Sequence, residues 1–117
     1  MRIIVCGGRE YSDVARLRAV LDEFHGNKSI EHVAHGDARG VDRWAAAWAQ
    51  KHGITTTSYP ADWQRYGRAA GPIRNREMLR AEMALGLTMV VAFPGGKGTR
   101  DMCSQACAAG VMVYSVA

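Results

Sequence analysis

The chain has 117 residues, of which 48% are hydrophobic and 22% charged, the balance of an ordinary globular protein rather than a disordered or fibrous one. That length fits a single domain over 1–117 with one buried core. The formal charge of +4 suits an anionic ligand, but the basic residues are scattered rather than gathered in a tract, so nucleic acid is an unlikely partner on this reading.

Ile3-Ile4-Val5-Cys6 predicts a buried first strand. Ser12 or Asp13 caps a first helix carrying Val14, Leu17, Val20, Leu21 and Phe24 at helical spacing, closed by Gly26-Asn27. Ile30 to Ala34 is a second strand. A second helix follows from about Gly40 to His52, with Val41, Trp44, Ala45 and Trp48 on its inner side and Gly53 behind it. Ile54 to Tyr59 is a threonine-rich third strand, and Pro60 to Gly71 a long polar-aromatic loop. Pro72 fits the first turn of a third helix bearing Ile73, Met78, Leu79, Met83 and Leu85. Thr88 to Phe93 is a fourth strand, Pro94 to Gly98 a glycine-rich turn, and a fourth helix opens near Thr99 and ends near Gly110. Val111 to Val116 is the fifth strand.

Strands alternating with helices predict a three-layer, Rossmann-like α/β domain: a mainly parallel five-stranded sheet with helices on both faces. Ligands of such sheets collect at the carboxyl ends of the strands, and every conspicuous loop here follows a strand. Pro94-Gly95-Gly96-Lys97-Gly98-Thr99 is the strongest. Its glycines let main-chain amides close on an anion, the next helix adds free N–H groups and a favourable dipole, and Thr99 offers a hydroxyl or a cap. It is not a Walker A loop. Gly7-Gly8-Arg9 lacks the spacing of a dinucleotide fingerprint but brings a guanidinium suited to phosphate.

In the second loop Gly36 and Gly40 frame Asp37, Arg39 and Asp42. Asp37 or Asp42 is placed to accept ribose hydroxyls, and Asp42 alternatively serves the helix start; His35 reads as a packed, hydrogen-bonded residue. Trp63 either stacks on a base or anchors its own loop. Arg74 and Asn75 lie on the same edge, Arg74 as a second phosphate or ribose ligand.

No nucleophile elbow or metal-spaced cluster is present, and neither metal nor cofactor is expected. An odd count of three cysteines argues against a disulfide framework. Cys103 and Cys107, four apart on a helix, read as small packing residues. The apolar start of the chain is cut short at Gly7-Gly8-Arg9-Glu10, and no run is long enough to cross a membrane, so the expected location is the cytoplasm.

Taken in order, Gly7-Gly8-Arg9, His35-Gly36-Asp37 with Gly40-Val41-Asp42, Gly71-Pro72 with Arg74-Asn75, and Pro94 to Thr99 resemble the SLOG superfamily, nearest its small cpYpsA-related branch of bacteria and phages. The resemblance spans the chain and implies a Rossmann-like fold binding nucleotides or nucleotide-derived signals. LOG relatives cleave the base from a nucleoside monophosphate, using an arginine in an RKxxM-like segment and a glutamate in PGGxGTxxE. Arg74 and Met78 match the first segment, whereas Met102 stands where the second has glutamate. Asp101, the neighbouring carboxylate, projects about 100° away on a helix.

The leading expectation is therefore a nucleotide-binding or sensing domain. Its phosphate meets Pro94, Gly95, Gly96, Gly98 and Thr99, and Arg9 and Arg74 neutralise charge. The alternatives are an N-glycosidase using Arg74 and Asp101, and a nucleic-acid module. The apolar positions Trp44, Trp48, Met83 and Leu87 predict a homodimer, which the resemblance also implies.

Overall fold

Five parallel strands form one sheet in the order β3-β2-β1-β4-β5 in the computed structural model, which describes residues 1–117. The strands are β1 (Arg2–Cys6), β2 (His32–His35), β3 (Thr55–Ser58), β4 (Leu87–Ala92) and β5 (Met112–Ser115). Helices α1 (Val14–Asn27), α2 (Val41–Lys51), α3 (Trp63–Tyr66), α4 (Ala70–Ala84) and α5 (Lys97–Ala108) connect them, with a 3-10 turn at Gly67–Ala69. The Rossmann-like, three-layer α/β architecture expected from the alternating pattern is the one observed.

Alternation along the strands divides the core in two. Ile3, Val5, Val33, Met89 and Val91 pack with Leu17, Val20 and Leu21 of α1 and Val41, Ala45 and Trp48 of α2. Ile4, Cys6, Ala34, Val90 and Ala92 face the other way, against Met78 and Leu79 of α4 and Met102 and Ala106 of α5. Successive side chains on a strand point to opposite faces, so a run of apolar residues serves both layers. β1 and β4 end level: Cys6 pairs with Ala92, and the Phe93 amide donates to the Cys6 carbonyl at 2.9 Å.

Several boundaries differ from the sequence reading. The long loop after β3 holds α3, because Asp62 caps it by accepting the Arg65 amide at 3.1 Å and Gly67, at φ 55°, ends it. There are thus five α-helices instead of four. α4 starts at Ala70, two residues before Pro72, since a proline is still tolerated within the first turn. α5 starts at Lys97, so Gly98 and Thr99 lie inside its first turn. Ile30 precedes β2, its amide held by His25 Nδ1 at 2.9 Å.

Met83 and Leu85, read as part of the third helix, are exposed, and Leu85 follows the last helical residue. Of the residues that suggested a dimer, Trp48 is buried within this chain, Leu87 opens β4, and Met83 remains exposed.

A polar network the sequence reading did not find crosses the α4 layer. Glu82 is fully buried, Oε1 accepting from Arg2 Nε at 2.8 Å and Oε2 from the Tyr59 hydroxyl at 2.6 Å. Burial and the Glu82 carboxylate push the Tyr59 hydroxyl up to about 12. No helix is long and apolar enough to cross a membrane.

Candidate functional site

The chain runs outward from β1 through β2 to β3, then returns to place β4 on the other side of β1. The carboxyl ends of β1 and β4 thus flank the point where strand order reverses, the site at which open α/β sheets leave a crevice. A cleft of about 380 Å³ opens there. Gly7, Gly8 and Arg9 form one wall and Gly96, Lys97, Gly98 and Thr99 the other, with Gly36, Asp42, Trp63, Arg74 and Asn75 between.

The second wall is the first turn of α5. The amides of Lys97, Gly98 and Thr99 precede the first residue with an intrahelical partner, Arg100, whose amide donates to the Gly96 carbonyl at 3.1 Å. Those N–H groups and the helix dipole favour an anion. Gly96 itself has open space where a side chain would stand. Gly95 is different: a Cβ there would run into Thr99 Oγ1 and the Gly8 amide, so Gly95 serves the contact between the two loops. Pro94 does likewise, its carbonyl accepting the Gly8 amide at 2.9 Å. Neither Pro94 nor Gly95 lines the cleft.

Arg74 is fixed from behind. Nη1 donates to the carbonyls of Gly36 at 2.6 Å and Tyr59 at 3.2 Å, and Nε to Asn75 Oδ1 at 3.0 Å. Nη2 has no hydrogen-bond partner in the protein. Asn75 is buried and links this arginine to α5, its amide group donating to the Gly98 carbonyl at 3.1 Å and to Asp101 Oδ2 at 2.9 Å. Asp101 also accepts from Gln105 at 2.8 Å. Asp101 is thus not on the cleft wall; it steers Asn75 from behind. Met102, at the glutamate position of the LOG pattern, is fully buried in the core between the sheet and helices α4 and α5.

Asp42 lies one residue into α2, buried, accepting the Ala38 amide at 3.2 Å. Burial raises its carboxyl to about 6 despite the opposing pull of that amide and of Arg74. The same burial lowers the pKa of Arg74, with Asp42 opposing. Gly36 makes their juxtaposition feasible, since a Cβ there would strike the Arg74 guanidinium and approach Asp42 Oδ2 to 3.1 Å.

Asp37, the other ribose candidate, takes a left-handed backbone with φ 58° and pairs with Arg43 at 3.7 Å, outside this cleft. Gly40 is also outside it; at φ 79° it lets the α2 turn press on the Gly8 and Arg9 main chain. His35 is buried and accepts the Asp37 amide at 3.0 Å, its pKa lowered by burial, as a packed histidine should be.

Trp63 is 49% exposed. One ring face is covered by Arg9, whose Cζ lies 5.6 Å from the centroid, and its edge reaches Gly71 at the start of α4. The ring both anchors α3 and edges the cleft. Lining residues absent from the predicted site are Cys6, Glu10, Ala38, Gly71, Met78 and Lys97. Lys97 was legible inside the glycine-rich motif and Met78 inside the RKxxM-like segment, whereas Cys6 carried no signal beyond its apolar spacing.

The model of the family described as "YspA, cpYpsA-related SLOG family" matches residues 1–66. The Gene 61 protein of Mycobacterium phage D29 is 36% identical, over 97% of this chain and 94% of its own. Among solved structures, DNA processing protein A (DprA) from Streptococcus pneumoniae superposes with a TM-score of 0.52 at 18% identity, over 97% of this chain. The chain spans only 58% of DprA, and at that identity the likeness establishes the fold alone.

Proposed function

The chain belongs to the YspA, cpYpsA-related SLOG family, and from that premise we propose that it binds a nucleotide or nucleotide-derived ligand by its phosphate, as a ligand-binding or sensing domain. The observation that carries this reading is the meeting of the α5 amide turn with the anchored Arg74 guanidinium across one cleft at the switch point. Phosphate fits the free amides of Lys97, Gly98 and Thr99, with Arg74 Nη2, Arg9 and Lys97 balancing its charge. Asp42 accepts from a ribose hydroxyl. The base leaves the cleft beside Trp63, whose exposed ring area suits stacking.

Base cleavage is not part of the proposal. The position of the LOG glutamate holds a buried methionine, and the nearby Asp101 carboxylate is engaged by Asn75 and Gln105.

Calorimetric titration with nucleoside monophosphates, the bare nucleosides and inorganic phosphate tests the reading. The monophosphates should bind at least tenfold more tightly than their nucleosides. Gly96→Val, which fills the open space in the amide turn, should abolish that binding while the thermal midpoint stays within about 2 °C of the parent. Tight binding of an oligonucleotide that falls steeply with salt and ignores Gly96→Val would overturn it.

A further inference from the structure

Cys6 and Cys103 are 97 positions apart in sequence and adjacent in the fold. Cys6 ends β1 with its side chain on the α4–α5 face of the sheet, inside the lower core cluster. Cys103 lies on α5, packed against that same cluster, so the two thiols border the same layer between the sheet and α5. Both are free thiols. Their environments are unequal. Cys6 is buried at the floor of the nucleotide cleft. Cys103 is half-buried and opens on the other side of α5 into a separate surface hollow with Thr99, Arg100, Ser104 and Ser115. Cys107, four residues on, is exposed and belongs to neither. The arrangement of one accessible thiol backed by one sheltered thiol is that of an attacking and a resolving cysteine.

We propose that Cys103 and Cys6 form a reversible disulfide, made by exchange with a low-molecular-weight disulfide such as glutathione disulfide that enters through the Cys103 hollow. In the first step the Cys103 thiolate attacks one sulfur of the reagent. A Cys103–glutathione bond forms, the reagent's S–S bond breaks, and one glutathione thiolate leaves. In the second step the Cys6 thiol gives its proton to the departing glutathione and its sulfur attacks Cys103 Sγ. The Cys6–Cys103 bond forms and the second glutathione leaves. Two protein thiols are oxidised and one glutathione disulfide is reduced to two thiols. Cys103 is suited to start the exchange, since the partner thiol lowers its pKa to about 7, while burial and Cys103 hold the Cys6 thiol well above its ordinary value. The bond would tie the end of β1 to the second turn of α5, the two elements whose following and leading loops wall the cleft.

Mass spectrometry of the full chain after incubation with glutathione disulfide decides the matter, independently of the nucleotide reading. The expected product has lost two hydrogens and yields a single cross-linked peptide pair joining Cys6 to Cys103, reversed by dithiothreitol. Cys107→Ser should give the same product, and Cys6→Ser should stop at one glutathione adduct on Cys103. Cys103→Ser should lose the intramolecular product. Should Cys6→Ser fail to fold, the peptide map of the parent protein alone still decides. A cross-link joining Cys103 to Cys107, adducts on Cys107 with Cys103 untouched, or a disulfide that appears only in urea would overturn the proposal.

Discussion

Two arginine–carboxylate arrangements each draw one member from α4, and they are built to opposite ends. Glu82 is closed: each carboxylate oxygen has one donor, from Arg2 and from Tyr59, and no water reaches it. Arg74 and Asp42 are open: the guanidinium is held by carbonyls while one nitrogen is left toward the cleft, and Asp42 has a main-chain donor but no cation within ion-pair distance. On the proposed reading, the difference separates structural from functional use of the same chemistry. A buried charge with every partner supplied by the protein specifies packing. A buried charge held in place but left partly unpaired is pre-organised for a ligand that supplies the rest.

The largest effect should come from breaking the closed arrangement. Glu82→Ala strands Arg2 and the Tyr59 hydroxyl and should lower unfolding stability by about 3 kcal/mol or more, read as a lower urea midpoint, with nucleotide affinity of the folded fraction unchanged. Next, Arg74→Ala should reduce affinity for a nucleoside monophosphate by roughly thirtyfold, the scale of a lost charged hydrogen bond of ~2 kcal/mol, with a smaller shift in the urea midpoint than Glu82→Ala. Equal stability losses in the two variants would erase the distinction between the sites.

Asp42 sharpens the comparison through pH. Its folded pKa is raised to about 6 from 3.8, so the folded state holds this proton more tightly than the unfolded chain. Its ionised form therefore costs stability fully above pH 6, and the cost fades as pH falls to about 4, where both states are protonated. Asp42→Asn should raise the thermal midpoint at pH 8 by about 4 °C, roughly 1 kcal/mol, with the gain vanishing near pH 4. The same variant should weaken nucleotide binding at pH 8. The smallest effect is kinetic: iodoacetamide labelling of Cys103 should reach half its maximal rate near pH 7, the value to which the Cys6 side chain lowers it, a profile that Cys6→Ala should shift upward.

Much of the fold was legible because the signals were local. Apolar runs such as Ile3 to Cys6 and Met89 to Phe93 mark strands buried on both faces, and Gly26, Gly53 and Gly110 mark helix ends. The short helix α3 was missed because its cap, Asp62, looked like one polar residue in a polar loop. In the site, Gly96, Lys97, Gly98 and Arg74 were recoverable from glycine and charge placement. Gly95, Gly40 and Pro94 were legible as special positions, but their task is holding loops together, and composition does not separate close main-chain packing from ligand approach.

By itself the sequence determined the layer order of the domain and the edge on which its chemistry collects, because hydrophobic period and strand-following loops are properties of neighbouring residues. The tertiary structure alone decided which polar groups are satisfied. It joined Glu82 to Arg2 and Tyr59, left Arg74 and Asp42 open, turned Asp101 away from the cleft, and set Cys6 against Cys103. Those outcomes depend chiefly on contacts between residues 15 to 97 positions apart, and hydrogen bonding and desolvation act on that proximity, which no local pattern encodes.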